Sequence, residues 1–192
     1  SKGSFITYFE LLKENQIDSD GNYGTWKSVD KHLNEFSPKD ISFDRVTKSW
    51  LEGFKNYLDK EVKTKTNEGL SLNSKYTYFN KMIAAIKQAH KDGLLSHDVS
   101  KEVEPFPQDE VQREFLTLEE LQRMAAAHCK NSTLKRMFLF SCLTGLRWGD
   151  IEKLTWKEIQ HSNELGYYIR FRQAKTNGVE TQPISDEARD FL

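Results

Sequence analysis

Residues 138–156 read Phe-Leu-Phe-Ser-Cys-Leu-Thr-Gly-Leu-Arg-Trp-Gly-Asp-Ile-Glu-Lys-Leu-Thr-Trp. The apolar residues before Gly145 predict a buried helix that this glycine ends, because glycine commonly follows the last helical turn. Arg147 then stands at the start of a second, short helix over about 150–154. Its guanidinium offers a planar fork of donors that fits the oxygens of a phosphate. Asp150 could orient Arg147 or cap the turn, and a purely structural Arg–Asp pair fits the spacing equally well.

The residues that follow predict a β-hairpin. Residues 167–171 alternate like a strand, and residues 179–184 form the returning strand. Between them, the Asn-Gly pair at 177–178 has the chemistry of a tight turn, since both residues accept a positive φ. Lys175 stands beside this turn, where an ammonium is either a donor to a bound group or a solvated surface charge. A further helix is expected from about residue 185, with acidic residues in its first turn.

A change of composition divides the chain. Residues 97–114 contain two prolines and many acidic residues without sustained periodicity, which predicts an extended linker. Thr117 and Glu120 then have the spacing of a capping box that opens a helix of a second domain. We therefore expect a helical domain over residues 1–96, a linker over 97–114 and a second domain over 115–192.

Four helices are predicted in the first hundred residues, because apolar residues recur there at intervals of three and four. Thr47 and Ser71 are expected at the starts of the third and fourth helices, and Gly93 at the end of the fourth. Gly21 and Gly24 are expected to break the chain before the second helix. The aromatic stripes of these helices are assigned to the core of a small bundle and to no chemistry.

The distribution of charge along the sequence indicates a candidate binding segment that the net charge of the chain does not indicate. The net charge of −1, from 28 basic and 29 acidic residues, gives no sign of nucleic-acid binding. Within residues 60–91, however, seven lysines stand against two glutamates. A locally basic segment can hold phosphates even when acidic residues elsewhere balance it, although a solvated helix face and a lysine-rich loop explain the same pattern. The lysines concerned are Lys60, Lys63, Lys65, Lys75, Lys81, Lys87 and Lys91.

The two cysteines, Cys129 and Cys142, belong to no Cys/His cluster, so neither a zinc site nor another metal or cofactor site is expected. Both stand in apolar-periodic stretches and are expected to be buried. A reducing cytoplasm fits this cysteine usage. No apolar run approaches the roughly 20 residues of a membrane span, so no membrane partner is expected.

The segment 144–147 (Thr-Gly-Leu-Arg), with Asp150-Ile151 and the residues 154–156, resembles the first conserved box of tyrosine recombinases, the phage integrase family. The likeness is greatest to integrases of Bacteroides-type conjugative transposons and prophages, which usually carry Tyr-Ser in place of Trp148-Gly149. The resemblance implies a mainly α fold. A helical core-binding, SAM-like bundle would precede the start of an α+β catalytic domain with a β-hairpin or small sheet.

The resemblance also implies roles for individual residues. Arg147 would be the first catalytic arginine, which binds the scissile phosphate, with Asp150 supporting it. Lys175 would be the general acid that protonates the departing 5′ oxygen. The full-length parent would cut and rejoin double-stranded DNA through a phosphotyrosine intermediate, as a tetramer on synapsed DNA, during integration or excision of a mobile element. It would need neither metal nor ATP and would act in the bacterial cytoplasm, associated with the nucleoid.

The family's His-x-x-Arg box, a further His or Trp and the nucleophilic Tyr are expected beyond Leu192. The chain is therefore expected to bind DNA without cleaving it, and Tyr167 and Tyr168 are interpreted as packing residues of the strand. Two alternatives stay open at this point: a non-catalytic DNA-binding regulator that kept the same architecture, and a helical protein-interaction module with no DNA role.

Overall fold

The computed structural model describes residues 3–17, 20–110, 112–174 and 177–192. It is mostly helical and contains a three-stranded antiparallel sheet, which confirms the fold class expected from the sequence. The chain divides into two units, residues 1–112 and 113–192. None of the described helices is long and apolar enough to span a membrane. The helices are α1 (Phe5–Glu14), α2 (Asp20–Phe36), α3 (Lys48–Lys60), α4 (Leu72–Lys91), α5 (Leu118–Ala126), α6 (Ser132–Thr144), α7 (Trp148–Ile151) and α8 (Asp186–Arg189), with 3₁₀ turns at Phe43–Arg45, Val99–Glu102 and Trp156–Glu158, and the strands are β1 (Ile159–Ser162), β2 (Gly166–Arg172) and β3 (Val179–Pro183).

An apolar core shared by α1 to α4 holds the first unit together. Phe5, Phe54 and Phe79, from α1, α3 and α4, have no exposed surface. Full burial of one such side chain contributes roughly 1.5–3 kcal/mol. The aromatic stripes predicted from helical spacing are therefore core residues of a bundle, as expected.

Side-chain caps begin the helices where the sequence predicts them. The Thr47 hydroxyl accepts a hydrogen bond from the backbone N–H of Trp50, and the Ser71 hydroxyl accepts one from Ser74. Gly93 follows the end of α4 with a φ of 73°, a conformation that favours glycine. These boundaries depend on local chemistry alone, so the sequence is sufficient to predict them.

The break predicted at Gly21 and Gly24 is wrong. Helix α2 begins before both glycines and runs through them without interruption. Trp26 and Val29, on one face of this helix, are buried in the core of the unit. Because their burial contributes more than the roughly 1 kcal/mol that each helical glycine costs relative to alanine, packing overrides the local preference.

Much of the segment assigned to a linker, residues 97–114, packs onto the first unit. Val103 and Phe106 are only 6% and 7% exposed. The Phe106 ring meets Phe79 edge-on at 5.7 Å between centroids, and the Lys55 ammonium lies 5.1 Å from the centre of the same ring. The sequence missed this docking because the few apolar residues stand among prolines and acidic residues, without a sustained period.

In the second unit, the strands follow one another in the order β1-β2-β3, and helices cover one face of the sheet. Ile169 and Phe171 of β2 point into a core with Phe140 of α6 and Ile151 of α7. The hairpin of β2 and β3 was expected, whereas β1 was not. Strand β1 has only four residues, and two of them are exposed, so its sequence carries little alternation.

The expectation that both cysteines are buried is wrong, since Cys129 and Cys142 are exposed. Helix α6 buries Leu139 and Phe140 on one side only. Cys142 lies outside that buried side, next to Leu143, which is 43% exposed. The apolar periodicity of this segment therefore overstates how much of the helix is covered.

Removal of the Phe106 ring tests whether the segment of residues 97–114 stabilises the first unit by packing onto it. We expect Phe106→Ala to lower the free energy of unfolding by about 3 kcal/mol, because Phe79 and Lys55 both lose a packing partner. Urea unfolding followed by tryptophan fluorescence measures this change. Phe115→Ala is the matched control, since that ring is 86% exposed and its loss should leave the midpoint in place. Equal unfolding energies for both variants would contradict the docking.

Candidate functional site

A braced loop presents Arg147. Gly145 ends α6 in the left-handed conformation, with a φ of 70°, and its N–H donates to the Ser141 carbonyl. The Ser141 hydroxyl in turn donates to the carbonyl of Leu146 at 2.8 Å. Leu146 itself is buried in the core of the second unit. The backbone that precedes Arg147 is thus held by the burial of Leu146 and by the hydrogen bonds that link Ser141 to Gly145 and to Leu146.

Arg147 occupies the N-cap position of α7, and its carbonyl accepts hydrogen bonds from the N–H groups of Asp150 and Ile151. Its side chain is exposed. Among the residues that the structure describes, no carboxylate lies within 4.0 Å of its guanidinium. The backbone of this arginine is therefore fixed, while its charge is free to meet an anion.

Asp150 links α7 to the hairpin. Its side-chain oxygen Oδ1 accepts a hydrogen bond of 2.7 Å from the backbone N–H of Ala174, and the residue is only 7% exposed. The contact joins the segment that carries Arg147 to the end of strand β2. The carboxylate lies within ion-pair distance of no described cation, Arg147 included.

Lys175, the second predicted catalytic residue, lies outside the described residues, as does Thr176. The residues on either side of them close a turn. The N–H of Gln173 donates to the Gly178 carbonyl at 2.8 Å, and the Arg172 guanidinium donates to the carbonyl of Asn177 at 2.6 Å. Asn177 has a φ of 58°, as the predicted Asn-Gly chemistry allows, but β2 ends at Arg172 and β3 begins at Val179, so the connection is longer than a tight two-residue turn. The role of Lys175 stays a prediction.

Sequence reasoning missed two polar contributions to this unit. The Gln182 side chain donates to the carbonyl of Thr144, which ties β3 to the end of α6. Arg172 braces the turn, and together with Arg170 it projects from the exposed face of β2. The alternation of the strand could have indicated this shared face, because residues two apart point the same way.

The lysines of the basic segment have two kinds of surroundings. The Lys75 ammonium forms an ion pair with Asp59 at 2.7 Å and lowers the pKa of that carboxyl. The Lys81 ammonium donates to Asn22 at 2.6 Å and lies 5.6 Å from the centre of the Trp26 ring. These two lysines are engaged within the domain. The other five are exposed: Lys60, Lys63, Lys65, Lys87 and Lys91.

Residues 63–69 form a compact loop between α3 and α4. Lys63 and Gly69 pair across it as an isolated antiparallel bridge, and the Thr64 N–H donates to the Glu68 carbonyl at 2.7 Å. Lys63 and Lys65 therefore stand on a loop whose ends are pinned, rather than on a free segment. In the described part of the chain, no group of three His, Cys, Asp or Glu side chains is placed to hold a metal ion.

Comparison with known proteins gives a family model and a set of solved structures. The model of the phage integrase SAM-like domain matches residues 4–104. The fold is similar to that of a lambda integrase tetramer bound to a Holliday junction, with a TM-score of 0.74 and 19% identity over 98% of this chain and 54% of that one. It is also similar to the Tn1549 transposon integrase (residues 82–397) in complex with circular intermediate DNA, with a TM-score of 0.68 and 14% identity over 98% of this chain and 63% of that one. The chain thus spans roughly half to two thirds of the length of these solved chains, and no curated protein sequence matches it.

The link between α7 and the hairpin can be tested directly. We expect Asp150→Ala to leave the N–H of Ala174 without its partner and to destabilise the second unit by roughly 1–3 kcal/mol. Amide hydrogen exchange at Ala174 should become faster, while exchange in α3 stays unchanged. Glu152→Ala, an exposed acid one residue after α7, is the control. Unaltered protection of Ala174 in the Asp150 variant would refute this role.

Proposed function

The chain belongs to the phage integrase family, as its SAM-like domain over residues 4–104 shows. We propose that it is the part of a tyrosine recombinase that binds duplex DNA and holds the phosphate to be cleaved. In this proposal the helical domain (residues 1–96) and the catalytic part (residues 115–192) both contact the duplex. The DNA complexes of lambda integrase and of the Tn1549 integrase support DNA as the partner. The lambda integrase tetramer on a Holliday junction supports assembly of the full-length protein on synapsed DNA.

The observation that carries the proposal is the exposed guanidinium of Arg147 on a braced loop. During phosphoryl transfer, negative charge builds on the non-bridging oxygens, and a fixed cationic donor lowers the barrier because it needs no reorganisation. A guanidinium can also donate two parallel hydrogen bonds to those oxygens. We assign Arg147 to transition-state stabilisation, and Asp150 to holding the hairpin beside it.

We assign Lys175 to protonation of the leaving group. An ammonium on a hairpin turn can enter a groove of the duplex and donate a proton to the departing 5′ oxygen. The contact between Asp150 and Ala174 supports this assignment, because Ala174 immediately precedes Lys175 in the chain.

We assign the attacking nucleophile to none of the tyrosines in residues 1–192. Burial, followed by hydrogen bonds to carboxylates, raises the pKa of Tyr8 beside Asp92 and of Tyr57 beside Glu35, which opposes formation of a phenolate. The Tyr168 hydroxyl donates to Gln160 at 2.8 Å. Covalent catalysis needs a nucleophile in line with the leaving oxygen, so these 192 residues should bind DNA without forming a covalent link.

Replacement of Arg147 tests the catalytic assignment. In the full-length recombinase that contains this chain, we expect Arg147→Ala to abolish strand cleavage while most DNA binding remains, since one cationic contact is lost among many. A suicide substrate that traps the covalent protein–DNA adduct measures cleavage. Arg147→Lys keeps the charge but not the paired donors, so it should restore little of the activity. Adduct formation by the alanine variant at the wild-type rate would remove Arg147 from the mechanism.

Replacement of Lys63 and Lys65 tests the DNA contacts of the first unit. Each phosphate contact contributes about 0.9 to the slope of log affinity against log salt concentration. We expect the double alanine variant of the 192-residue chain to flatten this slope by up to about 1.8, because two such contacts are lost. Lys48→Ala, an exposed lysine on α3 paired with Glu52, is the control and should leave the slope unchanged. An unchanged slope and affinity in the double variant would exclude these lysines from the interface.

A further inference from the structure

The sheet of the second unit has one covered face and one open face. In the antiparallel register, Ile169 pairs with Gln182 and Phe171 with Glu180, and both apolar residues point into the core. The alternate residues of β2 point the opposite way, because side chains alternate along a strand. The open face therefore carries Tyr168, Arg170 and Arg172 from β2, Val179, Thr181 and Pro183 from β3, and Gln160 from β1.

The charged side chains that the structure describes on this open face are all positive. Arg170 and Arg172 are its charged residues, and both are exposed. Neither forms an ion pair within 4.0 Å in the described part of the chain, whereas Arg189 of the same unit forms two. The acidic residue of β3, Glu180, shares its register position with Phe171 and so belongs to the other face. Among the described residues, no carboxylate on this open face neutralises the two guanidinium groups.

The spacing along the strand sets what can bind. Alternate residues of a β-strand are about 6.6–6.8 Å apart, so the two guanidinium groups form a short row rather than a cluster. Arg172 donates once to the Asn177 carbonyl, which fixes its position and leaves further N–H donors of its planar fork. Beside Arg170, across the hairpin, Thr181 adds a hydroxyl donor. A row of guanidinium groups on an open sheet face matches a chain of phosphates.

The row formed by Arg170 and Arg172 has one end near the segment that carries Arg147. Asp150 of α7 holds Ala174, two residues beyond Arg172, so Arg172 lies at the end of β2 that is joined to the Arg147 segment. Arg170 lies one step farther along the strand. The row of Arg172 and Arg170 therefore begins at the end of β2 that Asp150 joins to the Arg147 segment, on the face of the sheet opposite the one that α7 covers.

We propose that the open face of the sheet binds the sugar–phosphate backbone of DNA flanking the phosphate held at Arg147, with Arg170 and Arg172 on separate phosphates. This inference rests on the proposed function and deepens it by naming a second, non-catalytic contact surface in the same unit. DNA fits this face by charge, because the charged side chains described on it are both cations and a DNA backbone carries a negative charge at every nucleotide.

Binding of the 192-residue chain to a fluorescein-labelled duplex of mixed sequence, measured over a range of salt concentrations, tests the proposal. Arg170→Gln should weaken binding and flatten the log–log salt slope by about 0.9, and Arg170→Lys should restore the slope because it restores the charge. Arg170 is the decisive position, since Arg172 also braces the turn. Arg123→Gln, which removes a 77% exposed arginine side chain from α5, is the matched control and should behave as wild type.

Each outcome decides between the two proposals. If wild type fails to bind the duplex even at low salt, the proposed function and the phosphate row both fail. If wild type binds and Arg170→Gln keeps its slope and affinity, the row is overturned while the proposed function stands. Polyglutamate serves as a probe for an acidic protein partner. If Arg170→Gln loses binding to polyglutamate while its salt slope for DNA stays unchanged, the face binds an acidic protein surface, and the proposal is overturned. Circular dichroism melting confirms that each variant is folded.

Discussion

The hydrogen bond from the N–H of Ala174 to Asp150 joins two segments that are 24 residues apart in the chain, and the arrangement of the candidate site depends on it. On one side, Asp150 belongs to the short helix α7, three residues after Arg147 at its N-cap. On the other side, Ala174 lies two residues beyond Arg172, the last residue of β2. The donor–acceptor distance is 2.7 Å, and Asp150, which supplies the accepting carboxylate, is only 7% exposed. The loop of Arg147, which we propose binds a phosphate, and the hairpin are thereby held together.

The parts of the fold that local chemistry determines could be predicted from the sequence. The caps at Thr47, Ser71 and Thr117 and the left-handed turn at Gly145 each need only neighbouring residues. The interruption expected at Gly21 and Gly24 fails because the core of the bundle, which is a property of the whole unit, stabilises the helix through them. The docking of Phe106 was hidden for the same reason, since its partner Phe79 is distant in sequence.

The candidate site was predictable in its residue types but not in its contacts. The Thr-Gly-Leu-Arg segment and the spacing to Asp150 identified the loop and the exposed arginine. Periodicity could not indicate that Asp150 bonds to the hairpin, because a residue's partner 24 positions away leaves no trace in local spacing. Similarly, charge counting treated the lysines of residues 60–91 as equivalent, whereas Lys75 and Lys81 are engaged by Asp59 and Asn22.

The central claim is that the loop of Arg147 and the hairpin form one phosphate-binding surface. An NMR titration of the isotope-labelled 192-residue chain with duplex DNA measures this most directly. We expect the side-chain Nε–H signal of Arg147 and the backbone signal of Ala174 to shift together, with the same dependence on DNA concentration. Shifts confined to the first unit, with both of these signals unmoved at saturation, would contradict it.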